Sequence, residues 1–129
     1  LSSSTVYKFR VKAYRIADKQ ARYGTVSATC TVRTNLAGVS GFKASERTKN
    51  SITLDWSKNS KATGYVIQYY NASAKKWTDM KRIGSNITLS CKVNGLTSGK
   101  SYSFRIRAYR TIGKTTQYSA WSTLKVSTK

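Results

Sequence analysis

The fold of this chain is decided by the stretch Leu96-Thr-Ser-Gly-Lys-Ser-Tyr-Ser-Phe-Arg-Ile-Arg-Ala-Tyr-Arg110. Almost the same stretch stands 95 positions earlier, as Leu1-Ser-Ser-Ser-Thr-Val-Tyr-Lys-Phe-Arg-Val-Lys-Ala-Tyr-Arg15, with eight of the fifteen residues identical. Three of the other seven positions hold conservative exchanges, Ser for Thr, Val for Ile and Lys for Arg. A repeat at the distance of one domain length indicates an array of modules.

The repeat continues past this stretch, with Tyr23 aligned with Tyr118 and Ser27 aligned with Ser122. A chain of 129 residues is too short for two modules of this length. We therefore expect one complete module over residues 35–129, preceded over residues 1–34 by the last two strands of another module.

Apolar and polar residues alternate along most of the chain, which is the pattern of half-buried β-strands. Turn-forming Gly, Asn, Ser and Lys residues separate these segments, and no segment has helical periodicity. The pattern predicts an antiparallel sandwich with seven strands near residues 39–46, 51–57, 63–70, 76–83, 86–93, 101–110 and 118–127. Two further strands are predicted near residues 5–15 and 23–33.

Three groups of residues together resemble the fibronectin type III family. Trp56 follows Ile52 and Leu54 as the tryptophan of a second strand, and Gly64-Tyr65-Val66-Ile67-Gln68-Tyr69 resembles the third strand. The spacing of Leu96 and Tyr102 resembles the leucine and tyrosine-corner signature that precedes the sixth strand. The resemblance covers about residues 36–129, and it covers a half-domain within residues 1–34.

This resemblance implies an all-β, immunoglobulin-like fold: a seven-stranded antiparallel two-sheet sandwich with an extra N-terminal β-hairpin. Trp56 and Tyr65 would meet at the centre of the core, and the hydroxyl of Tyr102 would bond back to the backbone. The expected core residues are Trp56, Tyr65, Ile67, Leu96, Tyr102, Phe104 and Ile106. The abundance of Lys, Thr and Tyr is similar to modules of bacterial surface and secreted proteins.

The composition argues against an enzyme and against a cofactor. The chain has no His, so it cannot build a Ser-His-Asp or Cys-His nucleophilic site. Its acidic residues are four and scattered, which offers neither a paired-carboxylate site nor a calcium loop. Its two cysteines, Cys30 and Cys91, are too few for a zinc site; we expect two thiols, with a disulfide as the alternative.

A formal net charge of +20 favours contact with polyanions even without a dedicated site. Basic residues of the sixth predicted strand lie near aromatic ones, which gives the candidate ligand-binding residues Arg105, Arg107, Tyr109, Tyr118, Trp121 and Lys125. The segment Tyr118-Ser-Ala-Trp-Ser122 resembles the Trp-Ser-x-Trp-Ser box of cytokine-receptor modules, in which aromatics interleave with arginines. That resemblance implies a structural cation–π ladder, which we prefer to a ligand site.

Residues 1–34 carry an apolar face, Tyr7, Phe9, Val11 and Ala13, without a complementary sheet. Three outcomes are open, since an isolated hairpin is marginally stable. The hairpin is disordered, or it packs on the complete module or on the matching hairpin of a second chain. In the third outcome it replaces residues 101–127 of a neighbouring molecule by domain swapping.

The sequence thus predicts a non-catalytic spacer and interaction module, excerpted from a multidomain secreted or cell-surface protein. No apolar run is long enough for a transmembrane helix, so membrane insertion is not expected. The expected partners are neighbouring modules of the same polypeptide, a homodimer or strand-swapped partner, and polyanions or cell-wall polymers. The alternatives are a dedicated binding module for carbohydrate or anionic wall polymer, and an accessory domain of a secreted enzyme.

Overall fold

The structure, a computed structural model, describes residues 1–129 and consists of β-strands joined by turns. It divides into two compact units. We call Leu1–Thr34 the hairpin unit and Asn35–Lys129 the sandwich unit.

The sandwich unit contains two antiparallel sheets. The first has the order β5-β6-β9, formed by β5 (Lys43–Arg47), β6 (Ser51–Asp55) and β9 (Ser90–Asn94). The second places β8 (Lys76–Ile83) beside β7 (Gly64–Asn71), and β7 beside the long strand β10 (Ser101–Ile112). On its other side, β10 pairs with β11 (Thr115–Tyr118) and then with β12 (Ser122–Ser127). The seven-stranded, two-sheet prediction is confirmed, with β11 and β12 together forming the last predicted strand.

The predicted strand boundaries are partly wrong. The strand expected over 39–46 is β5, which begins only at Lys43, and the strand expected over 86–93 is β9, which begins only at Ser90. Ile87 stands at alternate positions with Leu89 and Cys91, which predicts an inward side chain, yet this side chain is 71% exposed. The reason is a local turn, since the Ile87 N–H donates to Ser85 Oγ and the Asn86 carbonyl accepts from the Tyr65 hydroxyl.

The core of the sandwich unit lies between the two sheets, because alternate residues of each strand face inward. Trp56 and Tyr65 meet edge to face at its centre, with ring centroids 5.5 Å apart. Of the seven expected core residues, five are buried and two, Leu96 and Tyr102, are half-buried against the same cluster. The buried five are Trp56, Tyr65, Ile67, Phe104 and Ile106.

A tyrosine corner closes the end of the sandwich where β10 begins. The Thr97 N–H donates to the Tyr102 hydroxyl at 2.8 Å, and this hydrogen bond lowers the pKa of Tyr102. Beside it, Thr128 Oγ1 accepts from the Lys100 N–H and donates to the Thr97 carbonyl, at 3.2 and 2.7 Å. The two ends of residues 97–128 are therefore joined by side-chain hydrogen bonds as well as by strand pairing.

The hairpin unit contains four short strands where two long ones were predicted. β1 (Val6–Phe9) pairs with β4 (Cys30–Arg33), and β2 (Lys12–Ala17) pairs with β3 (Gln20–Val26). Between the pairs, Ser27 Oγ accepts from the Val11 N–H, and the Ser27 N–H donates to the Val11 carbonyl. This serine interrupts the ladder and splits both predicted strands.

The hairpin unit repeats the hydrogen bonds of residues 97–128. The Ser2 N–H donates to the Tyr7 hydroxyl at 2.7 Å, as Thr97 does to Tyr102. Thr34 Oγ1 accepts from the Thr5 N–H and donates to the Ser2 carbonyl, at 3.0 and 2.6 Å, as Thr128 does in the sandwich unit. The local geometry of the repeat is therefore retained in full at this end.

The two cysteines are free thiols, with Cys30 exposed and Cys91 buried in the sandwich core. The two cysteines are therefore not joined by a disulfide in the structure.

Candidate functional site

The outer face of the β8-β7-β10 sheet carries a continuous stack of arginine and aromatic side chains. We call this stack the arginine–aromatic ladder; its members are Tyr109, Arg82, Tyr118, Arg107, Trp121, Arg105 and Trp77. They come from strands β8, β10 and β11 and from the segment between β11 and β12. The ladder therefore extends from β8 across β7 to β10 and β11.

Each guanidinium of the ladder lies within cation–π distance of an aromatic ring. Arg107 lies over two rings, 3.9 Å from the centroid of Tyr118 and 4.4 Å from that of Trp121. Arg105 lies 4.3 Å from the centroid of Trp121 and 4.4 Å from that of Trp77. Trp121 is thus shared by two arginines, which binds the stack into one unit.

The ladder continues at both ends. Arg82 lies 4.0 Å from the ring centroid of Tyr109, and its Nη1 donates to the Tyr118 hydroxyl at 3.5 Å. That hydrogen bond raises the pKa of Arg82, although desolvation acts against it. At the other end, Trp77 packs edge to face on Tyr70, with centroids 5.5 Å apart.

A bulge at Ser119 places Tyr118 and Trp121 over the same arginine. The Ser119 N–H donates to the Ala108 carbonyl, and Ser119 Oγ accepts from the Ala108 N–H at 3.0 Å. The same hydroxyl donates to the Ala120 carbonyl, while Ser122 Oγ donates to the Val39 carbonyl. Strand pairing resumes at Ser122, so the register of β12 on β10 is shifted by one residue from that of β11.

The charges of the ladder are poorly compensated. Desolvation lowers the pKa of Arg105, and the neighbouring charge of Arg107 lowers it further. The nearest carboxylate contributes less: Asp79 accepts from Gln68 Nε2 at 2.6 Å, while Gln68 Oε1 accepts from Arg105 Nε at 2.7 Å. Asp79 therefore reaches Arg105 only through an intervening amide.

Arg107 has an unsatisfied donor. Its Nε is buried and has no hydrogen-bond acceptor within the protein. An unsatisfied buried donor is costly unless a water or a ligand supplies the acceptor. Among the polar atoms of the ladder, the Arg107 Nε is the one that is buried without a hydrogen-bond partner.

The sequence predictions for this site divide into three groups. Arg105, Arg107, Tyr118 and Trp121 lie together in the ladder, as the sequence indicated. Tyr109 also lies there, but it is only 4% exposed because Arg82 covers its ring and its hydroxyl donates to the Ile83 carbonyl. Lys125 is exposed, opposite Ser103, and Arg105 pairs with a different residue of β12.

The position of Tyr109 also explains why residue 64 is a glycine. A Cβ at Gly64 would lie 2.9 Å from the Tyr109 hydroxyl and would collide with the Ile83 carbonyl oxygen. Only glycine allows β7, the end of β8 and the tyrosine ring to come this close.

Sequence reasoning missed Arg82 and Trp77. The alternation within 76–83 places Arg82 and Trp77 on opposite faces, because they are five residues apart. The structure contains a register shift between Ile67 and Gln68 of the partner strand, and this bulge brings both side chains to the outer face. A one-residue irregularity of this kind leaves no mark in the pattern of residue types.

No group of three or more His, Cys, Asp or Glu residues could hold a metal ion. Nor does the structure contain a helix long and apolar enough to cross a membrane.

The two packed antiparallel sheets, the central Trp–Tyr pair and the tyrosine corner define an immunoglobulin-like β-sandwich module. The profile of one such family, described as "Fibronectin type III domain", matches residues 37–125. The chain belongs to the fibronectin type III family.

Curated relatives come from animals and from a bacterium. The chain is 32% identical over 128 residues to ephrin type-B receptor 2 of Coturnix japonica, which covers 92% of this chain and 12% of the relative. It is 30% identical over 135 residues to exoglucanase B of Cellulomonas fimi, covering 100% of this chain and 12% of the relative. The chain thus spans about one eighth of the length of these relatives.

Solved structures agree on the fold. The fn3 domain of human collagen alpha-1(XX) chain is similar with a TM-score of 0.58 at 19% identity, covering 72% of this chain and 85% of that one. The structure named FN3tt is similar with a TM-score of 0.56 at 20% identity, covering 71% and 92%.

Proposed function

We propose that this chain is a non-catalytic spacer and interaction module of a multidomain secreted or cell-surface protein. One observation carries the proposal: the side chains that could have formed a ligand site are stacked on one another in the arginine–aromatic ladder. Relatives named as a receptor and as an exoglucanase, of which the chain spans only 12%, support a module within a larger protein.

The ladder fits a mechanical role. It ties β8 to β10, and β10 to the Trp121 segment, by contacts that run across the strands. Each cation–π contact adds roughly 0.5–1 kcal/mol at an exposed site. Strands in a sheet are otherwise held only by their ladder hydrogen bonds and side-chain pairs, so the stack stiffens the outer face against separation of its strands.

The acidic residues support the non-catalytic part of the proposal. Asp79 accepts a hydrogen bond from Gln68, and Glu46 accepts one from the Thr53 hydroxyl. Both carboxylates are thus engaged on strand surfaces, each with a single neutral partner. Neither forms the pair of facing acids that glycoside hydrolysis requires.

A salt-dependent titration tests the proposal. We would measure binding of heparin and of teichoic acid to the native chain, Arg107→Ala, Arg107→Lys and Lys114→Ala at several salt concentrations. A spacer predicts weak binding that falls with salt and depends on net charge alone, because charge attracts polyanions without a site. Arg107→Ala and Lys114→Ala would then weaken binding equally, and Arg107→Lys would leave it unchanged.

The Arg107 guanidinium, stacked on Tyr118 and Trp121, favours a second candidate, a dedicated module for an anionic wall polymer or acidic carbohydrate. A carboxylate, sulfate or phosphate would pair with a guanidinium that the two rings already hold in place. In the same titration this candidate predicts a loss for Arg107→Lys at least tenfold above that for Lys114→Ala, persisting at physiological salt. That outcome would contradict the spacer proposal.

The exoglucanase relative favours a third reading, an accessory domain of a secreted enzyme. Removing the module from its parent protein would then lower hydrolysis of an insoluble polymer but not of a short soluble substrate. A spacer predicts that a flexible linker of equal reach restores the activity.

A further inference from the structure

The hairpin unit exposes a set of side chains that proteins normally bury. Phe9 is 45% exposed, Val11 72% and Tyr14 67%. The same unit also exposes Leu1, Val6, Ile16, Tyr23, Val26 and Val32, each by more than 40%. An apolar surface of this density usually marks an interaction site.

Phe9, Val11 and Tyr14 have covered counterparts in the sandwich unit, namely Phe104, Ile106 and Tyr109, the last of which is 4% exposed. Phe104 is 1% exposed, and Ile106 and Ala108 are fully buried. They pack in one cluster with residues of β6 and β7 that include Ile52 and Tyr65. The covering surface is provided by residues 35–96, the five strands that precede the repeat.

Local geometry is similar in both copies. Tyr7 and Phe9 stack with centroids 6.3 Å apart at 25°, and Tyr102 and Phe104 do so at 6.4 Å and 24°. Tyr14 pairs with Tyr23 as Tyr109 pairs with Tyr118, whereas the register of β1 on β4 is shifted by one residue from that of β10 on β12. The hairpin unit therefore has the aromatic stacking and the β2–β3 pairing of residues 97–128 without their cover.

We propose that the exposed face of the hairpin unit binds the first five strands of a fibronectin type III module. These strands would resemble residues 35–96 and belong to another stretch of polypeptide. The match of side chains specifies this occupant, because β6 and β7 cover Phe104 and Ile106, the counterparts of Phe9 and Val11. Binding would close a complete sandwich.

Residues 35–96 of the same chain cannot be that occupant. In the sandwich unit the Lys129 N–H donates to the Thr48 carbonyl, whereas Ser122 bonds to Val39, so position 128 lies at the Thr48 end. If the hairpin unit took the place of residues 97–128, Thr34 would lie near Thr48. A five-residue connection reaches at most about 18 Å, while the nine residues from Val39 to Thr48 extend over roughly 25–30 Å.

Insertion of the hairpin unit into the sandwich of a second copy of the chain would bury no additional apolar surface. There the hairpin unit would have to displace residues 97–128, which make the better ladder. Its only counterpart of the Arg107 contacts is Lys12, whose Nζ lies 5.1 Å from the Tyr23 centroid. The displaced segment would expose an equal apolar face, so the swap leaves the same surface uncovered.

A fusion protein tests the proposal. Residues 35–95 are placed directly before Leu1 of the full chain, so that Gly95 precedes Leu1 as it precedes Leu96 in the native module. Hydrogen exchange is measured on peptides from residues 5–15, whose sequence is unique in the fusion. The matched control is the same fusion with Phe9→Asp and Val11→Asp.

The proposal predicts that amides of residues 5–15 exchange at least about 1000-fold more slowly in the fusion than in the native chain, because they join a cooperatively folded module. The control fusion should exchange as fast as the native chain. Equal exchange in the fusion and the native chain would overturn the proposal. So would a native chain that sediments as a dimer and becomes monomeric on Phe9→Asp, since a second copy would then cover the face. Neither result bears on the spacer proposal, which rests on the sandwich unit.

Discussion

Residues 1–34 and 97–128 share a tyrosine corner and the threonine hydrogen bonds beside it, yet the apolar face of one copy is exposed and that of the other is buried. Phe9 is 45% exposed where Phe104 is 1% exposed. The difference teaches that the tyrosine corner and the hydrogen bonds of Thr34 and Thr128 are local properties, since both copies possess them. Burial is not local, because it requires the sheet formed by residues 35–96.

The largest difference in stability between the two copies is expected when Phe104 or its counterpart Phe9 is replaced. We expect Phe104→Ala to lower the free energy of unfolding of the sandwich unit by about 3–5 kcal/mol, because it leaves a cavity. Phe9→Ala should change it by less than about 0.5 kcal/mol. Urea denaturation followed by tryptophan fluorescence measures this, since Trp56, Trp77 and Trp121 all lie in the sandwich unit. Equal losses would show that the two units unfold as one.

The bulge serines offer a second comparison. Ser119 and Ser27 each accept from a backbone N–H of the partner strand and donate to the next carbonyl. Ser119 is 6% exposed, so Ser119→Ala should cost the sandwich unit about 1–3 kcal/mol by leaving the Ala108 N–H unsatisfied. Ser27→Ala should leave that unit unchanged, because water can reach Val11 instead. A loss under 0.5 kcal/mol for Ser119→Ala would mean that water replaces its hydroxyl.

The third comparison concerns the ladder position shared by Arg107 and Lys12. Arg107→Lys keeps the charge but removes the planar group that stacks on Tyr118 and Trp121. We expect a loss of about 0.5–1 kcal/mol in the same denaturation experiment. Lys114→Arg is the control, because Lys114 lies in the turn between β10 and β11. An unchanged midpoint for Arg107→Lys would show that the ladder adds no stability.

The reverse exchange should have the smallest effect. Lys12→Arg gives the hairpin unit a guanidinium over Tyr23, and we expect a gain of only about 0.3 kcal/mol, since no tryptophan completes the stack. The measurement is the Tyr23 ring shift by NMR, together with amide exchange across residues 5–15. A gain above about 1 kcal/mol would show that the hairpin unit holds a structured core of its own.

The sequence predicted the strand pattern well because alternation persists through β6, β7, β9 and β10. The predicted strand boundaries and side-chain faces are wrong at the β-bulges. The bulges at Ser27 and Ser119 split predicted strands, and the bulge in β8 turns Arg82 toward the ladder. Ser27 lies opposite Val11 as Ser122 lies opposite Ile106, in agreement with their alignment, but the side-chain hydrogen bonds of Ser27 resemble those of Ser119. A bulge depends on pairing between strands, which no single strand encodes.

The sequence by itself determined the sandwich, the core around Trp56 and Tyr65, and the local geometry of both repeats, because these depend on alternation and on short-range hydrogen bonds. Only the tertiary structure decided that Trp77 and Arg82 join Arg105 and Arg107, that Tyr109 is buried, and that the two copies of the repeat differ in exposure. These properties depend on register and on which surfaces meet, and identical local sequences leave both open.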